Sequence, residues 1–465
     1  MPPEPAADPG SFRDPDSRVF RDGDRILRAL SDRGLSDWER LVGSSFFGRM
    51  QEEGKIVLTE RIEDPKGTRH EGFPAAATLR HARVPFVSYP YEWPFSMLRD
   101  AALLQLELLR AALAEDMILK DASPYNVQWH GSRPVFIDVG SFELLPDGEP
   151  WAGYRQFCCL FLNPLMLQAY AELPFQSWLR GSLEGVEPAE ARAVLRGRHT
   201  LRAGVVAHVA LHARLERREG ERDTRTEVKK AGFRKELIEA NAARLQKLVG
   251  KLDWGSEKTA WSDYSDRAHY DAEELERKDR FVRETCASVG PGLTWDLGCN
   301  DGRYSRIAAE HSGYVVAVDG DHATVEALYR DLREARDERI LPLVMDLADQ
   351  SPARGWRGAE RGRLEERGRP DLILCLALVH HLSIAANVPL AEVLDWLASL
   401  GGTVVIEFAG RDDEMVKRLL SRKRDDAHPD YTLESFEQAL GQRFEIVRRE
   451  PLASGLRTLY EARPR

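Results

Sequence analysis

Cysteine is scarce in this 465-residue chain: there are five (Cys158, Cys159, Cys286, Cys299 and Cys375), and none forms a Cys-x-x-Cys pattern. That excludes a disulfide frame and a thiolate zinc site, and fits reduced thiols in a cytoplasmic protein. No run of about 20 apolar residues occurs, so no membrane span and no membrane partner are expected. Residues 1–23 are rich in Pro, Asp and Arg and offer no apolar stretch for a signal peptide. Basic charge is not in excess either. A net charge of −10 and a pI near 5.8 argue against nucleic acid as a partner.

What is present describes a folded globular chain, 43% hydrophobic and 31% charged, and its 52.6 kDa exceeds what one core usually organises. The reading is a flexible tail over residues 1–20, a domain over 21–213, a charged helical linker over 214–260 and a second domain over 261–465. Leu237, Ile238, Leu245 and Leu248 form the linker's apolar stripe. A long amphipathic helix is expected from Pro94 to Glu115, and Arg/Glu/Gly-rich Ala353–Arg369 reads as an exposed insertion.

From Leu293 onward, short Val/Ile/Leu runs alternate with helical intervals: Leu293–Leu297, Tyr314–Val318, Ile340–Met345, Leu372–Leu376 and Thr403–Phe408. That is the pattern of an α/β domain with a parallel sheet covered on both faces. Phe444–Arg448 and Arg457–Ala462, joined through Pro451 and Gly455, add an antiparallel hairpin. The first run ends in Asp296 and opens into Gly298-Cys-Asn-Asp-Gly302, the second ends in Asp319, and Asp346 follows the third. A nucleoside cofactor needs glycine backbone it can approach closely, then a strand-end carboxylate for ribose hydroxyls. The glycines are spaced Gly-x-x-x-Gly and no Gly-Lys-Ser/Thr occurs, so a phosphate is poorly served and S-adenosylmethionine is the cofactor expected. One strand-end Asp caps a helix as readily as it binds a ligand. Three at successive strand ends are the signal.

At these residues the domain resembles class I S-adenosylmethionine-dependent methyltransferases, over roughly Trp261 to Arg465. The resemblance implies a Rossmann-like seven-stranded sheet finished by the hairpin. It implies Asp296, Gly298, Cys299, Asn300, Asp301 and Gly302 as the loop around methionine and ribose. Asp319 then takes the ribose hydroxyls, Gly320 and Asp321 lie beneath the adenine, and Asp346 with Leu347 meets its amino group. Past the fourth run, Cys375-Leu-Ala-Leu-Val-His380-His381 offers His380 or His381 as a base near pH 7 for a hydroxyl or ammonium acceptor. Capping or core packing are the alternatives for either ring. Glu407 and Asp412 are candidates for orienting substrate, and Tyr264, Tyr270 and Lys278 for a lid.

In the N-terminal half, Asp121 is followed five positions on by Asn126, and a strand-like Pro134-Val-Phe-Ile run delivers Asp138-Val-Gly140. Over about Arg21 to Arg214 this resembles protein kinases and related small-molecule kinases, an α+β fold. The resemblance implies Asp121 orienting a hydroxyl, Asn126 and Asp138 holding magnesium on ATP, and Lys55 on the phosphates. The family's glycine-rich loop is reduced to Gly43-Ser-Ser-Phe-Phe-Gly48, and its histidine and arginine before the first Asp are Leu119 and Lys120. The joint architecture resembles the NoeA-type methyltransferases. The expected function is methyl transfer to O or N of a small molecule or glycan-type metabolite. A bifunctional kinase-methyltransferase and a degenerate two-part binding module are the alternatives.

Overall fold

The computed structural model describes residues 6–63, 72–211, 234–255, 272–424 and 426–465. These form two units. The first takes in the described residues up to Trp129, those of Pro134–Gly255, and Ala353–Arg361; the second takes in His130–Arg133 and the described residues of Ser256–Pro352 and Gly362–Arg465.

In the first unit, β1 (Ala6–Ala7), β2 (Ser17–Asp22), β3 (Arg25–Leu30), β4 (Thr59–Ile62) and β5 (Ala77–His81) make an antiparallel sheet ordered β1-β2-β3-β5-β4. Alternation along β2 and β3 buries Phe20, Leu27 and Ala29 together. This corrects the expected flexible tail. The Asp-rich composition before β2 builds turns instead: Asp8 Oδ1 accepts the Gly10 amide and Asp14 Oδ1 the Asp16 amide. Two helices follow, α1 (Asp32–Val42), with Ser31 accepting the Gly34 amide, and α2 (Ser45–Glu52). Gly43 ends α1 and Gly48 lies inside α2 with Phe46 and Phe47 buried, so Gly43–Gly48 is no phosphate-cradling loop.

The long helix α3 runs Phe95–Ala114, between Pro94 and Glu115 as its caps. A second helix, Lys235–Val249, lies on it through Ile238, Ala242, Leu245 and Val249. The linker helix is therefore a packed element whose stripe runs on Ala242 and Val249, while Leu237 is exposed. Residues 214–233 and 256–260 of the linker lie outside the described residues. β6 (Met117–Leu119) pairs antiparallel with β9 (Phe142–Leu144), and β7 (Val127–His130) with β8 (Arg133–Phe136). Ala353–Arg361 is not a free insertion. Arg354 lies over the Tyr91 ring at 5.4 Å and Arg361 over Tyr125 at 4.3 Å, which anchors the segment on the first unit.

The second unit is a seven-stranded sheet ordered β12-β11-β10-β13-β14-β16-β15. Its strands are β10 (Leu293–Leu297), β11 (Tyr314–Asp319), β12 (Ile340–Val344), β13 (Leu372–Cys375), β14 (Thr403–Ala409), β15 (Phe444–Pro451) and β16 (Arg457–Pro464). The first five are parallel, and β16 runs antiparallel between β14 and β15. This is the Rossmann-like methyltransferase sheet with its terminal hairpin. On one face, Val315, Ala317, Leu372, Leu374 and Val405 meet Phe281, Ile307 and Leu328 from helices Ala272–Val289, Arg303–Ala309 and His322–Glu334. On β14's other side Phe408 stacks on Phe436 of helix Leu433–Arg443. A bulge breaks the register of β15 between Ile446 and Arg448. Among the described residues no helix is long and apolar enough to cross a membrane.

Candidate functional site

Strand order reverses between β10 and β13, and ligands of open parallel sheets bind beyond the strand ends at such a point. Here the Gly298 and Cys299 amides both donate to the Val318 carbonyl (2.8 and 3.0 Å), so the loop after β10 is tied to β11 at once. Gly298 (φ 78°) and Gly302 (φ 76°) take the left-handed conformation that glycine adopts without strain. A Cβ at Gly302 would lie 2.6 Å from Leu328 Cδ1.

Asp319 closes the loop: one carboxylate oxygen accepts the Asn300 amide (3.0 Å) and the other the Asp321 amide (2.9 Å). Asp296 is buried, and Ser305 Oγ donates to it at 2.5 Å. Burial pushes its carboxyl up to about 7 against that hydrogen bond, with Asp319 and Asp301 adding to the rise. Asn300 Oδ1 is buried with no hydrogen-bond partner among the described residues. Asp346, just past β12, is exposed, and Leu347 beside it is buried.

Other loop residues have different work. Cys299 turns its thiol into the core beside Phe281 and Val315, where burial raises it well above its ordinary value; it offers the crevice backbone only. Asp301 accepts the Arg303 amide, and Asp321 caps helix His322–Glu334 through the Ala323 and Thr324 amides. Gly320 has room for a Cβ, with Met345 O at 3.7 Å.

The expectation for Glu407 is overturned. It is 0% exposed. Lys278 Nζ (2.7 Å) and the Ala377 amide (3.0 Å) donate to Oε2, and Arg457 Nη1 (3.0 Å) to Oε1. Burial pushes the carboxyl up, but the two cations outweigh it and bring it down to about 2. A permanent carboxylate sealed from solvent neither touches substrate nor takes a proton near neutrality. Lys278 belongs to this buried pair and not to a lid; Tyr264 and Tyr270 lie outside the described residues. Asp412 is exposed beside Lys417, whereas Asp413 binds Arg457 Nε at 2.7 Å.

The histidines ride on the turn after β13 with ring centroids 4.3 Å apart. Burial, then Arg457, lowers the His381 imidazole to about 4. Burial, with His381 and the cations adding, lowers His380 well below its ordinary value. His380 is fully buried, and neither ring nitrogen has a partner among the described residues. Both rings are neutral at physiological pH. They are hydrogen-bonding groups there, weaker bases than an ordinary imidazole.

In the first unit, Asp121 lies two residues past β6, Asn126 just before β7 and Asp138 two residues past β8, with the Ile137 amide donating to the Asn126 carbonyl (2.9 Å). Burial, then Asp138, raises Asp121 to about 6. Lys55 is bonded to Glu53 (2.6 Å) and to Glu107 (2.7 Å) of helix α3. The cation on Asp138 is Arg28 of β3, at 2.8 Å, which also donates to Ser17 Oγ (3.0 Å) and His81 Nε2 (3.2 Å). Sequence reasoning missed Arg28. Its one signal was a charge in the apolar run Ile26-Leu-Arg-Ala-Leu30.

No protein-family model matches the chain. Among solved structures, N-methyltransferase NodS from Bradyrhizobium japonicum WM9 is 16% identical, over 42% of this chain and 98% of that one, with a TM-score of 0.31. Magnesium protoporphyrin IX methyltransferase (ChlM) from Synechocystis PCC 6803 with bound SAH is 18% identical over 44% and 94%, at 0.30. Scores of this size leave the fold to rest on the sheet order itself. Nodulation protein NoeA of Rhizobium meliloti (strain 1021) is 35% identical over 472 residues, spanning 98% of this chain and 96% of that protein. Likeness of that depth over both lengths makes this chain a member of the NoeA family.

Proposed function

We propose that the second unit is an S-adenosylmethionine-dependent methyltransferase acting on an O or N atom of a small molecule or glycan-type acceptor. The supporting observation is the glycine loop at the order reversal, pinned by Asp319, with the orphaned Asn300 Oδ1 beside it. Asp296 and Asn300 would hold the methionyl ammonium, Asp319 the ribose hydroxyls, and Asp346 with Leu347 the adenine. When bound, the sulfonium supplies an electrophilic methyl group. The chain's own part is to align the acceptor and receive its proton, since the acceptor's new O–C or N–C bond displaces one. His381, the partly exposed ring of the pair, orients the acceptor's O–H or N–H and is the adjoining proton acceptor, while fully buried His380 packs against it.

Calorimetric titration with S-adenosylhomocysteine tests the cofactor claim. Saturable binding is expected, and no binding at any pH would overturn it. Asp296 in the free protein has its carboxyl raised to about 7, with Asp319, Asp301 and the Cys286, Cys299 and Cys375 thiols as its titratable neighbours. An ammonium ligand prefers the carboxylate, so affinity should rise with pH below about 7, by up to about tenfold per unit, and level off above it.

A second reading concerns the first unit. The placement of Asp121, Asn126 and Asp138 beside strand ends favours a kinase-like site for ATP and magnesium, with Asp121 facing the hydroxyl. Arg28 already neutralises Asp138, so metal must displace a guanidinium. Magnesium-dependent ATP binding that disappears in Asp138→Ala is the expected result. ATP turnover unchanged in that variant rejects the reading.

A further inference from the structure

Ala377 is one of the few non-glycine residues with positive φ (50°), and it sits where β13 turns toward the histidines. A left-handed alanine is strained and persists only where its surroundings hold it. What holds it is a side chain. The Ala377 amide donates to Glu407 Oε2 at 3.0 Å, across from β13 on its neighbour β14. The next residue, Leu378, packs against the cofactor loop: a Cβ on Gly298 would lie 3.4 Å from Leu378 Cδ1. Leu378 also begins the turn that carries both histidines, its carbonyl accepting the His381 and Leu382 amides (2.9 and 3.2 Å). The carboxylate is itself fixed on both sides. Lys278 reaches it from helix Ala272–Val289, with Nζ 5.2 Å from the Tyr304 ring centroid. Arg457 reaches it from β16 and is braced by Asp413, whose other oxygen accepts the Met415 and Val416 amides.

From this geometry we infer that Glu407 is a positioning residue, whose acceptance of the Ala377 amide sets the β13 turn at the height where Leu378 closes on Gly298 and from which the turn carrying the histidines starts. Glu407 acts through the turn and touches neither cofactor nor acceptor. The inference rests on the methyltransferase reading for its consequence, though not for the clamp. Its charge serves to keep one acceptor atom immobile, which a neutral acceptor of the same shape could also do if the facing ammonium were removed.

Two double variants of the full chain separate these roles. In Glu407→Gln with Lys278→Met, the amide oxygen still accepts from Ala377; its NH2 then faces Arg457 Nη1, a donor against a donor, but the guanidinium charge stays paired with Asp413. In Glu407→Leu with Lys278→Met, an apolar pair of similar volume replaces the ion pair, a change that proteins often tolerate, but the Ala377 amide loses its acceptor. Hydrogen exchange over residues 376–382 and the affinity for S-adenosylhomocysteine are measured alongside Tm. At comparable Tm, the Leu/Met variant should exchange faster across that turn and bind about tenfold more weakly, the size of one lost hydrogen bond. The Gln/Met variant should resemble wild type in both. Wild-type exchange and affinity in Leu/Met overturn the clamp, as does weakened binding with unchanged exchange. Should Leu/Met fail to fold, wild type alone decides: its Ala377 amide must be protected like those of β14, and rapid exchange there refutes the inference. Faster exchange in Leu/Met with no binding of S-adenosylhomocysteine by wild type leaves the clamp standing and removes the methyltransferase reading.

Discussion

Asp319→Ala should weaken S-adenosylhomocysteine binding by roughly 100-fold, about 3 kcal/mol, because two hydrogen bonds from ribose hydroxyls to a charged acceptor go together. The variant also strands the Asn300 and Asp321 amides, which now donate to that carboxylate, so the loop itself loosens. Asp319→Asn keeps one acceptor oxygen and should fall between wild type and Ala. Asp346→Ala, at an exposed carboxylate, should cost far less. Calorimetry on the three variants checks the ranking, with Tm as the control for folding. Binding by Asp319→Ala within twofold of wild type would remove Asp319 from the site.

The largest stability effect should come from Glu407→Ala. Lys278 and Arg457, both buried, would lose the carboxylate between them, and breaking such a buried pair from one side costs about 3–5 kcal/mol. Adding Lys278→Met should recover most of the loss, since Arg457 still has Asp413. The pH dependence follows from the direction of the shift. Glu407 titrates near 2 in the folded chain against 4.5 ordinarily, so its stabilisation is complete above about 4.5 and is lost as pH falls toward 2. The urea midpoint of wild type should fall with acidification over that window, and the Gln/Met pair should lack that component. Identical pH profiles would show that Glu407 is not the ionised partner described.

Much of the second unit was legible in its residues. The runs ending at Leu297, Val318 and Phe408 mark strands to within a residue, because a strand buried on both faces is apolar throughout and its polar end announces the rim. The hairpin was legible too, from Pro451 and Gly455 with no helix between. Glu407 was misread because its rim position drew attention from its parity. It shares a face with Val405, and that face is covered by helix Ala272–Val289, so period two alone pointed to burial. Lys278 and Arg457 lie far from it in sequence, and no local pattern reports that they meet.

The first unit was harder to read. Its strands are short and carry arginines among the apolar residues, as in Ser17-Arg-Val-Phe-Arg-Asp22, which resembles a charged tail until the partner strand is present. Lys55 was chosen because it opens an apolar run. Arg28 holds Asp138 because β3 passes beside it, a fact of topology alone.

The register break in β15 bears on how separate copies of the chain behave in solution. β15 is the sheet's outermost strand and exposes Ile446 and Val447, an invitation for a neighbour to extend the ladder. An extra residue interrupts the ladder along that rim. The irregularity thus guards against intermolecular zippering, and a chain shortened by one residue there would be prone to fibrous association.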